Sequence, residues 1–517
     1  MRPASILYFC VGILALLSET RVRAEDPYRY YTWTVTYGTR TVLDKPQTVI
    51  LINGQFPGPN IECVTNDNII VNVTNKNGIK QRRTVWQDGV LGTNCPIPPG
   101  TSWTYKFQAK DQIGTYNYFP STTMHRAAGG FGGFNIASRS VIAIPYPIPV
   151  AEFTLLVSDW YNQDIRFALK KDLDQGKTLH VPDSLLINGL SKPAGFTGEK
   201  GKTYKFRISN VGISTSINFR IQGHTLTLVE VEGAHTIQEK YESLDVHVGQ
   251  SVAVLVTLQS AVKDYYIVAS SRFTKPILTT TAILRYAGSN TRPLCHCLLP
   301  QLTMLNLTAN AARPNPQGSF HYGTIKVDKT FVFANTAEKI NGKLRYAVNG
   351  RSYVDPSTPL KLADWYNIPG VFSLDSMKTT PVNTPAVLGA SVVGTELHDF
   401  VEIVFQNNEN TIQSWHLSGT SFYVVGYGDN VWNSTMRKRY NLLDAVSRHT
   451  VQVYPTAWTA IFVSLDNKGM WNLRSAIWPR RYLGQQLYIR VWNDERSLYT
   501  ESDPPPNTLF CGLAKGP

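Results

Sequence analysis

Ile187-Asn188-Gly189, followed by Tyr204-Lys205-Phe206-Arg207-Ile208-Ser209-Asn210, reads as a strand end, a tight turn, and a later strand that alternates and stops at Asn. Ile52-Asn53-Gly54 precedes Ile69-Ile70-Val71-Asn72-Val73-Thr74-Asn75 in the same way, and Val348-Asn349-Gly350 precedes Phe400-Val401-Glu402-Ile403-Val404-Phe405-Gln406-Asn407. The turn Asn and the strand-end Asn are 22 residues apart in the first two copies and 58 in the third, which carries the Pro-rich 355–385 stretch as an insertion. Asn-Gly is a strong hairpin signal because both turn residues must take positive φ. Period-two alternation between such turns, without a long 3.6-residue period, selects strands. The chain therefore reads as all-β, a sandwich or barrel unit repeated three times.

Working outward, Pro145-Tyr146-Pro147-Ile148-Pro149 and the stretch 288–318, with Pro293, Pro300, Pro314 and Pro316, read as linkers. They set expected units at 25–147, 148–290 and 326–517, the last with a C-terminal tail and preceded by a linker over 291–325. At 517 residues, 43% apolar and 17% charged, the chain is too apolar for disorder. Beyond its first eighteen positions it has no apolar run long enough for a membrane helix. Arg2, the apolar run from Ile6 to Leu17 and Val22-x-Ala24 predict a signal peptide over 1–24, cleaved before Glu25. Its removal lowers the formal charge only from +13 to +11. A cationic exported protein is drawn to acidic polysaccharide or lipid head groups, and nothing in the sequence reads as a nucleic-acid module. Arg82-Arg83, Arg437-Lys438-Arg439 and Arg480-Arg481 are the clusters expected to meet a polyanion.

Asn72, Asn306 and Asn433 head N-glycosylation tripeptides. Cys63, Cys95, Cys295, Cys297 and Cys511 remain after export, and an odd number leaves at least one thiol free or bound to another molecule. No apolar tail follows Cys511, so neither a lipid anchor nor a membrane span is expected.

Trp86-Gln87-Asp88-Gly89, Asn94-Cys95-Pro96-Ile97-x-Pro99-Gly100, Gln112-x-Gly114-Thr115-Tyr116 and Gly129-x-x-Gly132 resemble the first cupredoxin domain of multicopper oxidases. Trp415-His416-Leu417-x-Gly419 and Asp444-Ala445-x-Ser447-Arg448-His449-Thr450 resemble the third. The likeness spans essentially all of the exported chain. It is strongest to plant ascorbate-oxidase homologues, including pollen-specific proteins and skewed-growth proteins of the cell wall. It implies three consecutive cupredoxin-like Greek-key domains, a place in the cell wall, a role in pollen-tube or directional growth, and a disulfide between Cys95 and Cys511.

An active member holds one blue copper by a thiolate and two imidazoles, and a three-copper cluster by eight imidazoles, supplied largely by four His-x-His motifs. Soft thiolate and imidazole suit copper, and His-x-His puts two imidazoles on one face of a strand. This sequence has no His-x-His. The resemblance places one lost pair at Phe119 and Ser121. It places three further ligand positions at Gln413, His416 and Ser418, of which only His416 is kept. Aligning on Trp471 puts the His-Cys-His triplet at Arg474, Ser475 and Ala476, the later blue-copper His at Arg480 and the axial Met at Gln485. The first His-Trp-His strand is missing where Asn75-Lys76-Asn77-Gly78 runs into Ile79, and the chain is shortened again near 298–306. His416 with His125, His449 or His398, and Cys295-His296-Cys297, are alternative metal sites, each more simply read as structural residues.

The resulting expectation is a secreted, copper-free, non-catalytic cell-wall glycoprotein without a cofactor, binding acidic polysaccharide such as pectin, or a wall protein. The competing expectation is a copper-dependent oxidase of the L-ascorbate oxidase type, taking ascorbate or phenolics with dioxygen.

Overall fold

A computed structural model describes residues 26–74, 85–122, 124–190, 195–291, 321–495 and 497–514. The proposed leader, the shortened stretches near 76–78 and 298–306, Arg82, Arg83, Cys295, Cys297 and Asn306 lie outside them.

The repeat is structural as well as textual. Tyr28–Val42 pairs in parallel with Asn68–Thr74, Ala151–Trp160 with Thr203–Asn210, and Lys329–Ile340 with Phe400–Gln406. In each copy the turn Asn clamps the opening strand. Asn53 Oδ1 accepts from the Thr34 amide at 2.8 Å, Asn188 Oδ1 from Leu156 at 2.7 Å, and Asn349 Oδ1 from Ala334 at 2.9 Å. Their Nδ2 groups donate to the carbonyls of Thr32, Thr154 and Val332. The backbone supplies the reason for Asn-Gly, because φ is 51° and 73° at Asn53 and Gly54, 51° and 70° at Asn188 and Gly189, and 43° and 78° at Asn349 and Gly350. Asn210 and Asn407, which end the later strands, hold the loops that follow by donating to Thr215 O and Thr411 O.

Among the described residues each unit has two sheets: four and three strands in the first, seven and five in the second, eight and five in the third. The described helices are at most six residues long, consistent with a chain that lacks a 3.6-residue pattern. The apolar cores run across the units. Trp160, Leu186 and Ile213 of the second and Trp478 of the third join the core of the first, while Phe400, Trp458 and Phe462 of the third join that of the second.

The strand Thr203–Asn210 departs from its alternation. Lys205 and Arg207, on the face that the pattern assigns to solvent, are each 2% exposed. The first unit and the Pro-rich linker cover them. Lys205 Nζ donates to Glu230 Oε1 at 2.7 Å and to the Tyr146 hydroxyl at 2.8 Å, and Arg207 donates to Glu152 and to Thr115 of the first unit. Between second and third units, Glu232 Oε2 accepts from the amides of His449 and Thr450.

The C-terminal tail returns to the first unit. Cys95 and Cys511 form the disulfide implied by the resemblance, Trp86 Nε1 donates to Ser502 O at 2.9 Å, and buried Lys361 lies 2.7 Å from Glu501.

Candidate functional site

The strands Gln413–Leu417 and Gly469–Ser475 are antiparallel neighbours, with Trp415 opposite Ser475 and His416 opposite Arg474. Arg480 sits in the short helix Trp478–Tyr482, with Pro479 in its first turn, and Gln485 follows it. This local order brings together Gln413, Ser475, Arg480 and Gln485, four of the positions at which the resemblance expects copper ligands. Gln485 Nε2 donates to Gln413 Oε1 at 2.9 Å, and Arg480 Nη1 donates to Gln485 Oε1 at 3.2 Å. The Ser475 amide donates to the Gln485 carbonyl at 3.0 Å. Asn407 accepts from Gln413 at 2.8 Å, and Glu409 and Thr411 accept from Arg480 at 3.0 and 2.9 Å. The Arg480 guanidinium also stacks 4.4 Å from the Tyr346 ring centre.

These donors do not fit copper. Two carboxamides, a hydroxyl and a guanidinium replace thiolate and imidazole, and a guanidinium is a permanent cation with no lone pair to give. The network satisfies Gln413, Gln485 and Arg480 among themselves and buries them.

The remaining ligand positions are occupied differently. Ser121 Oγ donates to Gly89 O at 2.6 Å, and Arg474 Nη1 donates to Ser418 Oγ at 3.0 Å. Ala476 packs with Val248 and Ile477. The Phe119 ring lies 4.1 Å from the Arg126 guanidinium. His416 Nδ1 is paired with Thr450 Oγ1 at 2.7 Å, His125 is held by Tyr37 and Thr122, and His449 meets Thr420 O. His398 stands in a turn at φ 77°. Among the described residues no three His, Cys, Asp or Glu side chains converge as a metal site. Cys63 is a buried free thiol, pushed up to about 12 by burial, then by Asp67 and Glu62.

Matches to the multicopper oxidase family cover residues 34–141, 151–289 and 357–497. The chain belongs to the multicopper oxidase family. A Brassica napus protein named L-ascorbate oxidase homolog is 50% identical across 100% of this chain and 98% of its own length. The Arabidopsis thaliana monocopper oxidase-like protein SKU5 is 46% identical across 95% of this chain and 90% of its own length. Fet3p, a multicopper oxidase that functions in iron import, superposes with a TM-score of 0.75 at 22% identity over 90% of each chain, a likeness of fold. The three matched stretches and the likeness of fold show three cupredoxin-like β-domains in this chain.

The expected polyanion surface needs correction. Arg480 and Arg481 are 7% and 6% exposed, because their short helix packs against the barrel ends, so neither offers a face to a long polymer. Arg437, Lys438 and Arg439 are exposed on the 3-10 turn Ser434–Arg439, although Arg437 is paired with the buried Glu402 carboxylate. Of the described glycosylation acceptors, Asn433 is exposed ahead of that turn, whereas Asn72 is half-buried within a central strand. Arg126, Glu409 and Asn407 went unnoticed in the sequence. Only the Asn at the strand end carried a signal, as the third member of a repeated position.

Proposed function

We propose that this oxidase-family protein is a secreted glycoprotein of the plant cell wall that carries no copper and binds rather than oxidises. The observation that carries the reading is the hydrogen-bonded set Gln413, Gln485, Arg480 and Glu409 at the position of the blue copper. Without a thiolate there, one-electron entry from a reducing substrate has no route. Net charge and the exposed turn with Lys438 and Arg439 support acidic polysaccharide as the partner, with a wall protein as the other candidate. The implied role is in pollen-tube or directional growth.

Metal analysis and oxygen uptake on purified, secreted, full-length protein test this. Well under one copper per chain and no ascorbate-dependent oxygen consumption are expected. Four coppers with blue absorption would establish the ascorbate-oxidase reading instead. Retention on a polygalacturonate column should fall steeply with salt, since surface charges act over a Debye length of about 8 Å at physiological salt. Lys438→Gln with Arg439→Gln should elute earlier, and a wild type that passes through at low salt would shift the assignment to a protein partner.

A further inference from the structure

A cleft of about 540 Å³ opens where the three units meet. Its mouth carries exposed Lys343, Asn341 and Leu388, and its floor reaches Ser121, Trp478 and Arg481, all buried. Ser121 is one of the lost copper-ligand positions, so the cleft ends beside the space that the cluster imidazoles would surround.

That floor is cationic. Of the floor residues Arg481 carries the charge, 4.5 Å from the Trp478 ring centre; Arg126, 5.8 Å from the same ring, and buried Arg474, which also feels Asp88, stand behind the lining rather than in it. Arg126 Nη2 and Arg481 Nη1 are buried and find no hydrogen-bond acceptor among the described residues. Arg481 has no direct ion pair among the described residues, and Asp355 of the same lining is the carboxylate that feels its charge. Burial, with the charge of Arg481 adding to it, pushes Arg474 down to about 9. Arg126 is likewise pushed down to about 9, by burial foremost and against the help of Asp159. Such an arrangement is costly in an empty protein, because a buried donor without an acceptor forfeits its hydration. A ligand oxyanion removes that cost.

We propose that this cleft binds a carboxylated sugar, with its carboxylate received by Arg481. The guanidinium fork matches a carboxylate. Lys343 and Arg345 keep the walls positive, while Asp174 is already engaged by Lys170 and the Tyr482 hydroxyl, leaving Asp355 at the mouth as the opposing charge. Tyr482, half-buried in the lining, offers a ring to a pyranose, and the volume lies in the range of small-molecule sites, well beyond an inorganic ion. The inference rests on the reading of the protein as a binder of acidic polysaccharide and assigns a second subsite, in an open cleft, for a chain end.

Calorimetric titration of the full secreted protein with trigalacturonate, a neutral trisaccharide of glucose and sodium sulfate tests it. Trigalacturonate should bind, the neutral sugar should bind at least tenfold more weakly, and sulfate should compete only weakly. Arg481→Gln should weaken trigalacturonate at least tenfold while leaving the unliganded melting temperature unchanged or higher, because it removes an unpaired buried charge. Equal binding of the neutral sugar, sulfate binding without preference for trigalacturonate, or unaltered affinity in R481Q would overturn the assignment. Should R481Q not be secreted, Lys343→Gln at the exposed mouth must weaken trigalacturonate several-fold. Unchanged affinity there is equally fatal. Trimer binding by a protein that passes through the polygalacturonate column would sink the surface reading alone. Column retention without trimer binding would sink the cleft alone.

Discussion

Arg480 and Glu409 give the sharpest test of the filled blue-copper position. In Glu409→Gln the guanidinium loses its carboxylate partner and keeps Gln485, Thr411 and the Tyr346 ring. Breaking one side of a buried pair costs about 3–5 kcal/mol. Here the Arg480 side chain is 8% exposed and that of Glu409 22%, and the other acceptors remain, so the lower end, about 3 kcal/mol, applies. For a melting unit the size of the third, roughly 2–4 °C is lost per kcal/mol, so scanning calorimetry should show the transition of that unit about 6–12 °C lower. Arg480→Gln should also destabilise, by stranding Glu409. The double variant, with both charges gone, should recover at least about 2 kcal/mol relative to the sum of the singles. A shift under about 1 °C in E409Q, or strictly additive losses in the double variant, would refute the view that these side chains form one mutually dependent set.

The remaining predictions concern stability. Cys511→Ser opens a loop closed across 416 residues, worth at most about 6 kcal/mol of chain entropy, and should lower the urea midpoint and expose the tail to trypsin. An unchanged midpoint would contradict this. His247, 2% exposed, is held neutral with its pKa down to about 3 by burial first and then by Arg448 and Arg272. The unfolded chain therefore takes up a proton below about pH 6.5 that the folded chain refuses, so stability should fall from there toward pH 3, by about 2–3 kcal/mol at pH 4.5. His247→Gln should flatten that slope, and identical slopes would dismiss the assignment. Asn188→Ala loses two side-chain hydrogen bonds and strains a φ of 51°, at about 3 kcal/mol, while Asn188→Gly keeps the turn and should cost about 1 kcal/mol less. Equal losses in the two variants would show that φ plays no part.

What the sequence discloses, and what it conceals, divides along physical lines. The three Asn-Gly turns are legible because a backbone with two successive positive φ angles accepts few residues. Missing copper ligands are legible for a related reason: an imidazole or a thiolate is present or it is not. Solvent exposure is not local in this way. Lys205, Arg207, Glu402, Arg480 and Arg481 stand in patterns that read as wet faces, yet all are buried, because another unit or loop covers the face and supplies most of them with partners.

The substitutes for copper are hidden for the same reason, since Glu409 and Arg480 are 71 residues apart and become partners only in the fold. Their completeness also separates the two former metal regions. At the blue-copper position, Gln413, Gln485, Arg480 and Glu409 satisfy one another, which makes that region a closed piece of core. In the cleft that reaches Ser121, the protein instead keeps buried Arg481 with an unused donor. A buried guanidinium with an unused donor costs stability unless a partner engages it. An anion in the cleft would supply that partner to Arg481.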